Sequence, residues 1–154
     1  MHLAGILPRG RKFTVQEPYA NNNTKTILLA EDEEMLRDAL RRILERAGFL
    51  LLVAEDAQEA LRTAGQYADR IDLLVSNVRL PGMSGSVLAT TLSHSRPDLR
   101  ILLVSGYPLG MLTLPKEWSF LQKPFTTNVL LGRVYEILRL RPQAQTADNQ
   151  GRPS

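Results

Sequence analysis

The sequence predicts an α/β fold, a doubly wound parallel sheet of five strands with helices on both faces. Five short apolar runs alternate with segments of helical periodicity, which is the strand-helix-strand order of a parallel sheet. The runs are apolar at almost every position, so each strand should be covered on both faces. Polar or charged residues directly follow four of the runs, where sheets of this kind place their binding sites.

The apolar runs are the predicted strands. Each is five or six residues long and is bounded by polar or turn-forming residues, as buried strands are. Right-handed crossovers between successive strands then place helices on both faces of the sheet. In chain order the strands are expected at 26–30, 50–54, 71–76, 100–104 and 118–122.

The first two helices have clear start or stop signals. Apolar residues between 35 and 47 fall on one helical face, and Gly48 supplies the stop. Asp56 and Glu59 have the spacing of a capping box, in which each side chain satisfies a backbone N–H group at the helix start. That spacing predicts a second helix running to Tyr67.

The remaining helices are less evenly spaced. A loop at 77–85 precedes a third helix that should end near Ser95, and Thr126 should cap a last helix running to about Leu140. Between the fourth and fifth strands the chain contains Pro108, Gly110 and Pro115. Proline and glycine are poor in helix interiors, so the helix in this crossover is expected to be short, distorted or missing.

Composition indicates a globular domain with flanking segments. Hydrophobic residues make up 44% of the 154 residues and charged residues 23%. Residues 1–24 show no sustained period and are interpreted as a flexible arm or linker, 25–140 as the domain, and 141–154 as a disordered tail.

Charge and cysteine content exclude several kinds of function. The net charge of +3 comes from bases near the two ends, which is not the pattern of a nucleic-acid interface. No apolar run approaches the length of a membrane span, and Met1 to Leu7 lacks the basic start of a signal peptide. We therefore expect a cytoplasmic protein with no nucleic-acid or membrane partner. With no cysteine, disulfides, cysteine-ligated zinc and thiol catalysis are excluded.

Chemistry-bearing residues follow four of the predicted strands. Glu31 and Asp32 follow the first, Asn77 the third, Ser105 the fourth and Lys123 the fifth. Because the carboxyl ends of parallel strands meet at one edge of the sheet, these side chains should converge. Carboxylates, an amide, a hydroxyl and an ammonium would form an oxygen-rich pocket suited to a hard cation and a phosphoryl group.

At this point the chain resembles the receiver domain of two-component response regulators, over residues 26–140. The resemblance implies a flavodoxin-like strand order of 2-1-3-4-5 and a signalling module, not an enzyme, in a phosphorelay. It also implies a sensor histidine kinase or another signalling protein as partner, and it allows a homodimer. The motifs that carry it are Ile27-Leu-Leu-Ala-Glu-Asp-Glu33, Asp72-Leu-Leu-Val-Ser-Asn-Val-Arg-Leu-Pro-Gly-Met-Ser-Gly85, Leu103-Val-Ser-Gly106 and Phe120-Leu-Gln-Lys-Pro-Phe125.

The resemblance also assigns roles to the residues at the strand ends. In the family, an acidic pair that holds Mg²⁺ falls on Glu31 and Asp32, and a hydroxyl that donates to the phosphoryl group falls on Ser105. The lysine that ion-pairs within the site falls on Lys123, often ahead of a cis proline, and an aromatic that changes rotamer falls on Phe120.

Simpler interpretations exist for the same residues. The acidic pair could be no more than a favourable helix N-terminus. Lys123 could be an exposed lysine in a turn, Ser105 could simply end a strand, and Phe120 could be a core residue.

The family's phosphate-accepting aspartate falls on Asn77. A carboxamide oxygen is neutral and a poor nucleophile, so Asn77 should not accept phosphate. The pocket also loses one negative charge, so we expect Mg²⁺ binding to be weak or absent. The first hypothesis is a degenerate receiver that acts by protein-protein interaction. The alternative is a phosphorylatable switch or small phosphotransfer enzyme with another acceptor, for which Ser76, Ser84 and Glu31 are the nearby candidates.

Overall fold

The computed structural model describes residues 24–108 and 113–141. The predicted arm at 1–24 and tail at 141–154 lie outside the described residues, apart from Thr24 and Arg141. Those two domain boundaries therefore stay predictions. The described helices and strands are β1 (Thr26–Ala30), α1 (Glu34–Arg46), β2 (Leu50–Ala54), α2 (Ala57–Gln66), β3 (Leu73–Asn77), α3 (Gly85–Ser95), β4 (Arg100–Ser105), β5 (Ser119–Gln122) and α4 (Thr127–Leu138).

The strands form one parallel sheet in the order β2-β1-β3-β4-β5. This is the predicted doubly wound arrangement, and it is confirmed. The order reverses direction at β1, which lies between β2 and β3. The carboxyl ends of β1 and β3 therefore flank the point at which sheets of this kind open a crevice for a ligand.

Two apolar cores cover the two faces of the sheet. Alternate residues along each strand point to opposite faces, so neighbouring leucines enter different cores. On one face Leu74 and Leu103 pack against α2 and α3, and on the other Val75 and Val104 pack against α1 and α4. Most strand residues are buried, which is why the sequence shows apolar runs in place of alternation.

The third strand is displaced by one or two residues from its predicted position. Ile71 and Asp72 precede the strand, and the carboxylate of Asp72 accepts the backbone N–H of Thr26 at 2.8 Å and pairs with Arg70 at 2.9 Å. At the other end β3 extends through Asn77, which pairs with Val104 of β4. Asn77 is thus the last residue of the strand and not the first of the loop.

Capping residues fix where α2 and α4 begin. The carboxylate of Asp56 accepts the N–H of Glu59 at 2.7 Å, as the capping box predicts. The Glu59 side chain reaches back to the N–H of Glu55, at 2.8 Å, one residue earlier than the simple box. Thr126 caps α4, and that helix ends before Arg139, whose φ of 57° turns the chain.

The crossover from β4 to β5 differs from the others. None of its described residues, 106–108 and 113–118, is helical, and 109–112 lie outside the described residues. Trp118 closes a turn by donating its N–H to the carbonyl of Pro115 at 3.1 Å. The described part is consistent with the predicted loss or distortion of a helix here.

Candidate functional site

The strand ends bring five predicted side chains to one edge of the sheet. Glu31 and Asp32 follow β1, Asn77 ends β3, Ser105 ends β4 and Lys123 follows β5. Contacts between side chains join four of them: Glu31, Asp32, Asn77 and Lys123.

Lys123 connects β5 with the ends of β1 and β3. Its ammonium lies 3.5 Å from Oε1 of Glu31 and 3.4 Å from Oδ1 of Asn77. The side chain of Lys123 is 24% exposed and that of Glu31 is 2% exposed. Solvent therefore screens this pair less than an ordinary surface ion pair. The predicted ion pair is present, and the peptide bond from Lys123 to Pro124 is cis.

The amide of Asn77 joins the two charged partners on either side of it. Its Nδ2 donates to Oδ1 of Asp32 at 3.3 Å, and its Oδ1 accepts from Lys123. The reverse orientation of the amide would set its oxygen against the carboxylate and its N–H group against the ammonium. Only the orientation described satisfies both neighbours. Asn77 is thus a polar bridge between an acid and a base.

Glu31 is buried at the centre of this cluster. Its Oε2 accepts the backbone N–H of Glu33 at 3.1 Å. Burial raises the pKa of Glu31 above the ordinary value of 4.5, while the hydrogen bond from Glu33 and the charge of Lys123 oppose the rise. The negative charge of Asp32 adds to it. Ionised Glu31 is therefore held by its partners against an unfavourable environment.

Arg37 is a buried residue of the site that the sequence did not reveal. Its guanidinium donates to the backbone carbonyl of Glu31 at 3.0 Å and to that of Asp32 at 3.4 Å. It therefore fixes the backbone that carries both acids. Helical periodicity marks only the apolar face of α1, so nothing in the pattern separates this arginine from the exposed ones.

Ser105 and Phe120 are placed differently from the central cluster. Ser105 is buried, and its hydroxyl accepts the backbone N–H of Tyr107 at 3.0 Å. Phe120 is partly buried and packs against the core formed with α2 and α3. Both contacts fit the simpler interpretations, a strand end and a core residue.

Two further residues, Arg79 and Tyr107, lie in the loops that follow β3 and β4. The guanidinium of Arg79, in the loop after β3, lies 5.1 Å from the centre of the Tyr107 ring. That distance is within the range of a cation–π contact. The pair links the loop after β3 with the loop after β4, beside Asn77 and Ser105.

The serines proposed as alternative acceptors have structural contacts. Ser76 is buried, and its hydroxyl donates to the backbone carbonyl of Asn77 at 2.9 Å. It lies against Gly85 of α3, on the face of the sheet opposite to that of Asn77. Ser84 caps α3 by accepting the N–H of Val87 at 3.2 Å.

This arrangement of acids, amide and lysine at the ends of a 2-1-3-4-5 sheet agrees with the comparison with known families. The family described as "Response regulator receiver domain" matches residues 27–135. The chain belongs to this family. Receiver domains are signalling modules of two-component systems, generally without enzymatic activity, that interact with histidine kinases and other signalling proteins.

The relatives of this chain are regulatory proteins of several kinds. The chain is 35% identical over 129 residues to the C4-dicarboxylate transport transcriptional regulatory protein DctD of Pseudomonas aeruginosa, covering 80% of the chain and 28% of DctD. It is 33% identical over 121 residues to sensor kinase CckA of Brucella abortus, covering 76% of the chain and 13% of CckA. The chain thus spans under a third of the length of these relatives.

Solved structures give the same fold. The receiver domain of the hybrid histidine kinase CckA is 34% identical with a TM-score of 0.64, covering 73% of this chain and 98% of that domain. A CheY-like receiver domain from Methanospirillum hungatei is 27% identical with a TM-score of 0.67, covering 75% and 94%. The strand order 2-1-3-4-5 is therefore that of the flavodoxin-like receiver fold.

Receiver domains typically bind Mg²⁺ for phosphorylation. Glu31, Asp32 and Asn77 supply oxygen atoms of the kind Mg²⁺ prefers. The Asn77 oxygen, however, accepts from Lys123, and the amide nitrogen occupies one oxygen of Asp32. Among the described residues no group of three or more acidic or histidine side chains could hold a metal ion. The fit is poor.

None of the helices described is long and apolar enough to cross a bilayer.

Proposed function

We propose that this chain is a receiver domain that takes part in two-component signalling by protein-protein interaction, without phosphorylation at the usual site. The observation that carries the proposal is the position of Asn77. It ends β3 between Asp32 and Lys123, where the family motif places the phosphate-accepting aspartate.

The chemistry of the side chain supports this proposal first. Phosphoryl transfer to a receiver needs a carboxylate oxygen that attacks phosphorus and forms an acyl phosphate. The oxygen of Asn77 belongs to a neutral amide, whose lone pairs are shared with the C–N bond, and it is a poor nucleophile.

The charge of the pocket supports it second. Glu31 and Asp32 contribute two negative charges and Lys123 one positive, so the cluster carries one net negative charge. Adding Mg²⁺ would leave it with one net positive charge, whereas an aspartate at position 77 would bring the sum to zero. Hard cations depend on ligand charge, so Mg²⁺ should bind weakly or not at all.

A different acceptor is the second candidate function, and the contacts disfavour it. Ser76 faces away from the acids, and Ser84 caps a helix. Neither has a histidine or carboxylate partner that could act as a general base in the contacts described. Glu31 is buried and already paired with Lys123.

The partner class follows from the family. The relatives include sensor kinase CckA and the receiver protein CpdR of Brucella abortus, which the chain matches at 29% identity over 97% of the CpdR length. We infer a sensor histidine kinase or another protein of such a pathway as the partner of this chain. In this account the partner recognises one constitutive state of the domain.

A capture experiment tests this proposal. Wild type and Asn77→Asp are each immobilised, and each is tested with and without acetyl phosphate and Mg²⁺. The proteins that they capture are identified by mass spectrometry. We expect wild type to retain the same partner in equal amount under both conditions, and the variant to respond to the phosphodonor. Capture by wild type that depends on the phosphodonor would contradict the proposal.

A further inference from the structure

Two asparagines, Asn77 and Asn128, are each followed by a valine but have different surroundings. Asn128 is exposed in the first turn of α4, whereas Asn77 ends β3 and contacts Asp32 and Lys123. In an unfolded chain the next residue largely sets the rate at which an asparagine loses its amide. A difference between these two amides in the native protein would therefore come from the fold.

The contact with Lys123 activates the carbon of the Asn77 amide. The Lys123 ammonium lies 3.4 Å from Oδ1, the atom on which negative charge develops when water adds to an amide carbon. A cation fixed at that position stabilises the transition state more than the neutral ground state. Buried Glu31 lies 3.5 Å from the same ammonium and holds it in place. The amide that is too poor a nucleophile to attack phosphorus is thus placed to react as an electrophile.

The contact with Asp32 places a base beside the nitrogen that would leave. Oδ1 of Asp32 lies 3.3 Å from Nδ2 of Asn77. Asp32 is exposed and Asn77 is partly exposed, so solvent water has access to both side chains. A carboxylate in this position can take a proton from water and return it to the departing nitrogen.

The backbone closes the usual route of amide loss, in which the next backbone nitrogen attacks the asparagine side chain. The N–H of Val78 donates to the carbonyl of Val104 at 2.9 Å, and Val78 is buried. Its nitrogen is therefore held by β4 and is not free to form a ring with Asn77. Loss of the Asn77 amide in the folded chain is left to direct attack by water.

We propose that Asn77 is a self-processing site, at which Lys123 and Asp32 hydrolyse the carboxamide to a carboxylate. Asp32 removes a proton from water, and the oxygen of that water forms a bond to Cγ of Asn77. The bond between Cγ and Nδ2 then breaks, and Asp32 returns the proton to the nitrogen. One water is consumed and one ammonium ion is released, and no other reactant takes part.

The product is a carboxylate at the position where the family has its phosphate-accepting aspartate. The newly made chain has the constitutive amide form, and the hydrolysed chain gains the acceptor that Asn77 does not provide. This consequence rests on the proposed function in one respect, that residue 77 occupies the acceptor position. The two fail separately. Phosphorylation of a chain that still has Asn77 would contradict the proposed function alone, and an amide that persists would contradict self-processing alone.

Peptide mapping by mass spectrometry measures the reaction at each asparagine. Freshly purified full-length chain is held at neutral pH in water labelled with oxygen-18, with EDTA to remove metal ions, and is sampled over days. We expect Asn77 to become aspartate about a hundredfold faster than Asn128, with one labelled oxygen in the product. On this timescale a fresh chain keeps its amide throughout an incubation with acetyl phosphate.

The form of the product separates attack by water from ring formation. Direct hydrolysis gives aspartate alone, whereas opening of a ring gives a mixture that contains isoaspartate, which isoaspartyl methyltransferase labels. We expect no methyltransferase labelling at position 77 of the folded chain. In urea, where the contacts with Lys123 and Asp32 are lost, Asn77 and Asn128 should lose their amides at similar rates.

Two variants test the groups assigned to the reaction. Lys123→Met and Asp32→Ala should each slow the hydrolysis of Asn77 by about tenfold or more. Lys116→Met and Glu34→Ala are the matched controls, because both residues are exposed and neither takes part in the contacts of Asn77. Each control removes the same charge as its partner variant and should leave the rate unchanged.

Asp32→Ala is the decisive variant of the pair. Asp32 is exposed, so its loss should leave the fold intact, whereas Lys123→Met deprives buried Glu31 of its ion pair. Three results would overturn self-processing. These are equal rates at Asn77 and Asn128 in the folded chain, isoaspartate at position 77, and a rate of hydrolysis that Asp32→Ala does not change.

Discussion

Replacing Asn77 by aspartate probes the amide bridge most closely. The change turns the hydrogen bond to Asp32, at 3.3 Å, into a contact between two carboxylates, and gives Lys123, at 3.4 Å, a charged partner. Near a protein surface, unit charges at these distances interact by about 5 kcal/mol with either sign. Because the two distances are almost equal, the new repulsion and the new attraction nearly cancel.

The remaining terms set the expected size of the effect. The variant loses the donor to Asp32 and adds repulsion from Glu31, so the metal-free variant should be less stable than wild type by about 1–2 kcal/mol. For a domain of this size the melting temperature should fall by roughly 5 °C. Mg²⁺ at a hundred times its dissociation constant would restore about 2.7 kcal/mol, which raises the melting temperature by roughly 10 °C.

Thermal unfolding with and without Mg²⁺ measures both effects. The melting temperature of wild type should rise by less than about 2 °C on addition of Mg²⁺, since binding well below saturation adds little stability. Asn128→Asp is the matched control, because Asn128 is exposed on α4 and takes no part in the contacts that join the cluster. It should behave as wild type does. If Mg²⁺ stabilises wild type as much as it stabilises Asn77→Asp, the charge argument is refuted.

Three other substitutions test the elements that position the site. Burial raises the pKa of Glu31, so ionising this side chain destabilises the folded protein as the pH rises above 4.5. The free energy of unfolding of Glu31→Gln, measured in urea and compared with that of wild type, should therefore increase between pH 4 and 7. Arg96→Ala removes hydrogen bonds to three backbone carbonyls at and beyond the end of α2 and should cost about 2 kcal/mol, while exposed Arg62→Ala should cost under about 0.5 kcal/mol. Gly85→Ala would force a Cβ onto the carbonyl that ends β3 and should cost about 2 kcal/mol or more, whereas Gly65→Ala has open space and should gain about 0.5 kcal/mol. If the two arginine variants, or the two glycine variants, changed the free energy of unfolding equally, the cause given for that pair would be contradicted.

The doubly wound sheet and the location of the site were predictable from local signals along the chain, whereas the strand order was implied by the resemblance to the family. Buried strands leave apolar runs, Asp56 and Thr126 mark helix starts, and right-handed crossovers restrict the topology. The acidic pair after β1 and Lys123 after β5 could be placed together for the same reason. The strand ends that carry them meet at one edge of the sheet.

Contacts made only in the folded chain could not be predicted. The sequence suggested that Lys123 pairs with Glu31, but not that Asn77 bridges Lys123 and Asp32 with opposite ends of its amide. Arg37 is similar, because its burial depends on backbone carbonyls that only the tertiary fold presents. The start of β3 was placed two residues too early, since Ile71 is buried in the core and gives the same apolar signal as the strand residues that follow it.

A carboxamide at the end of β3 should not take up a phosphoryl group, and intact-protein mass spectrometry tests this most directly. Wild type and Asn77→Asp are incubated side by side with acetyl phosphate and Mg²⁺. Wild type should keep its mass, and the variant should gain a hydroxylamine-sensitive phosphoryl adduct. A stoichiometric phosphoryl adduct on wild type would contradict it.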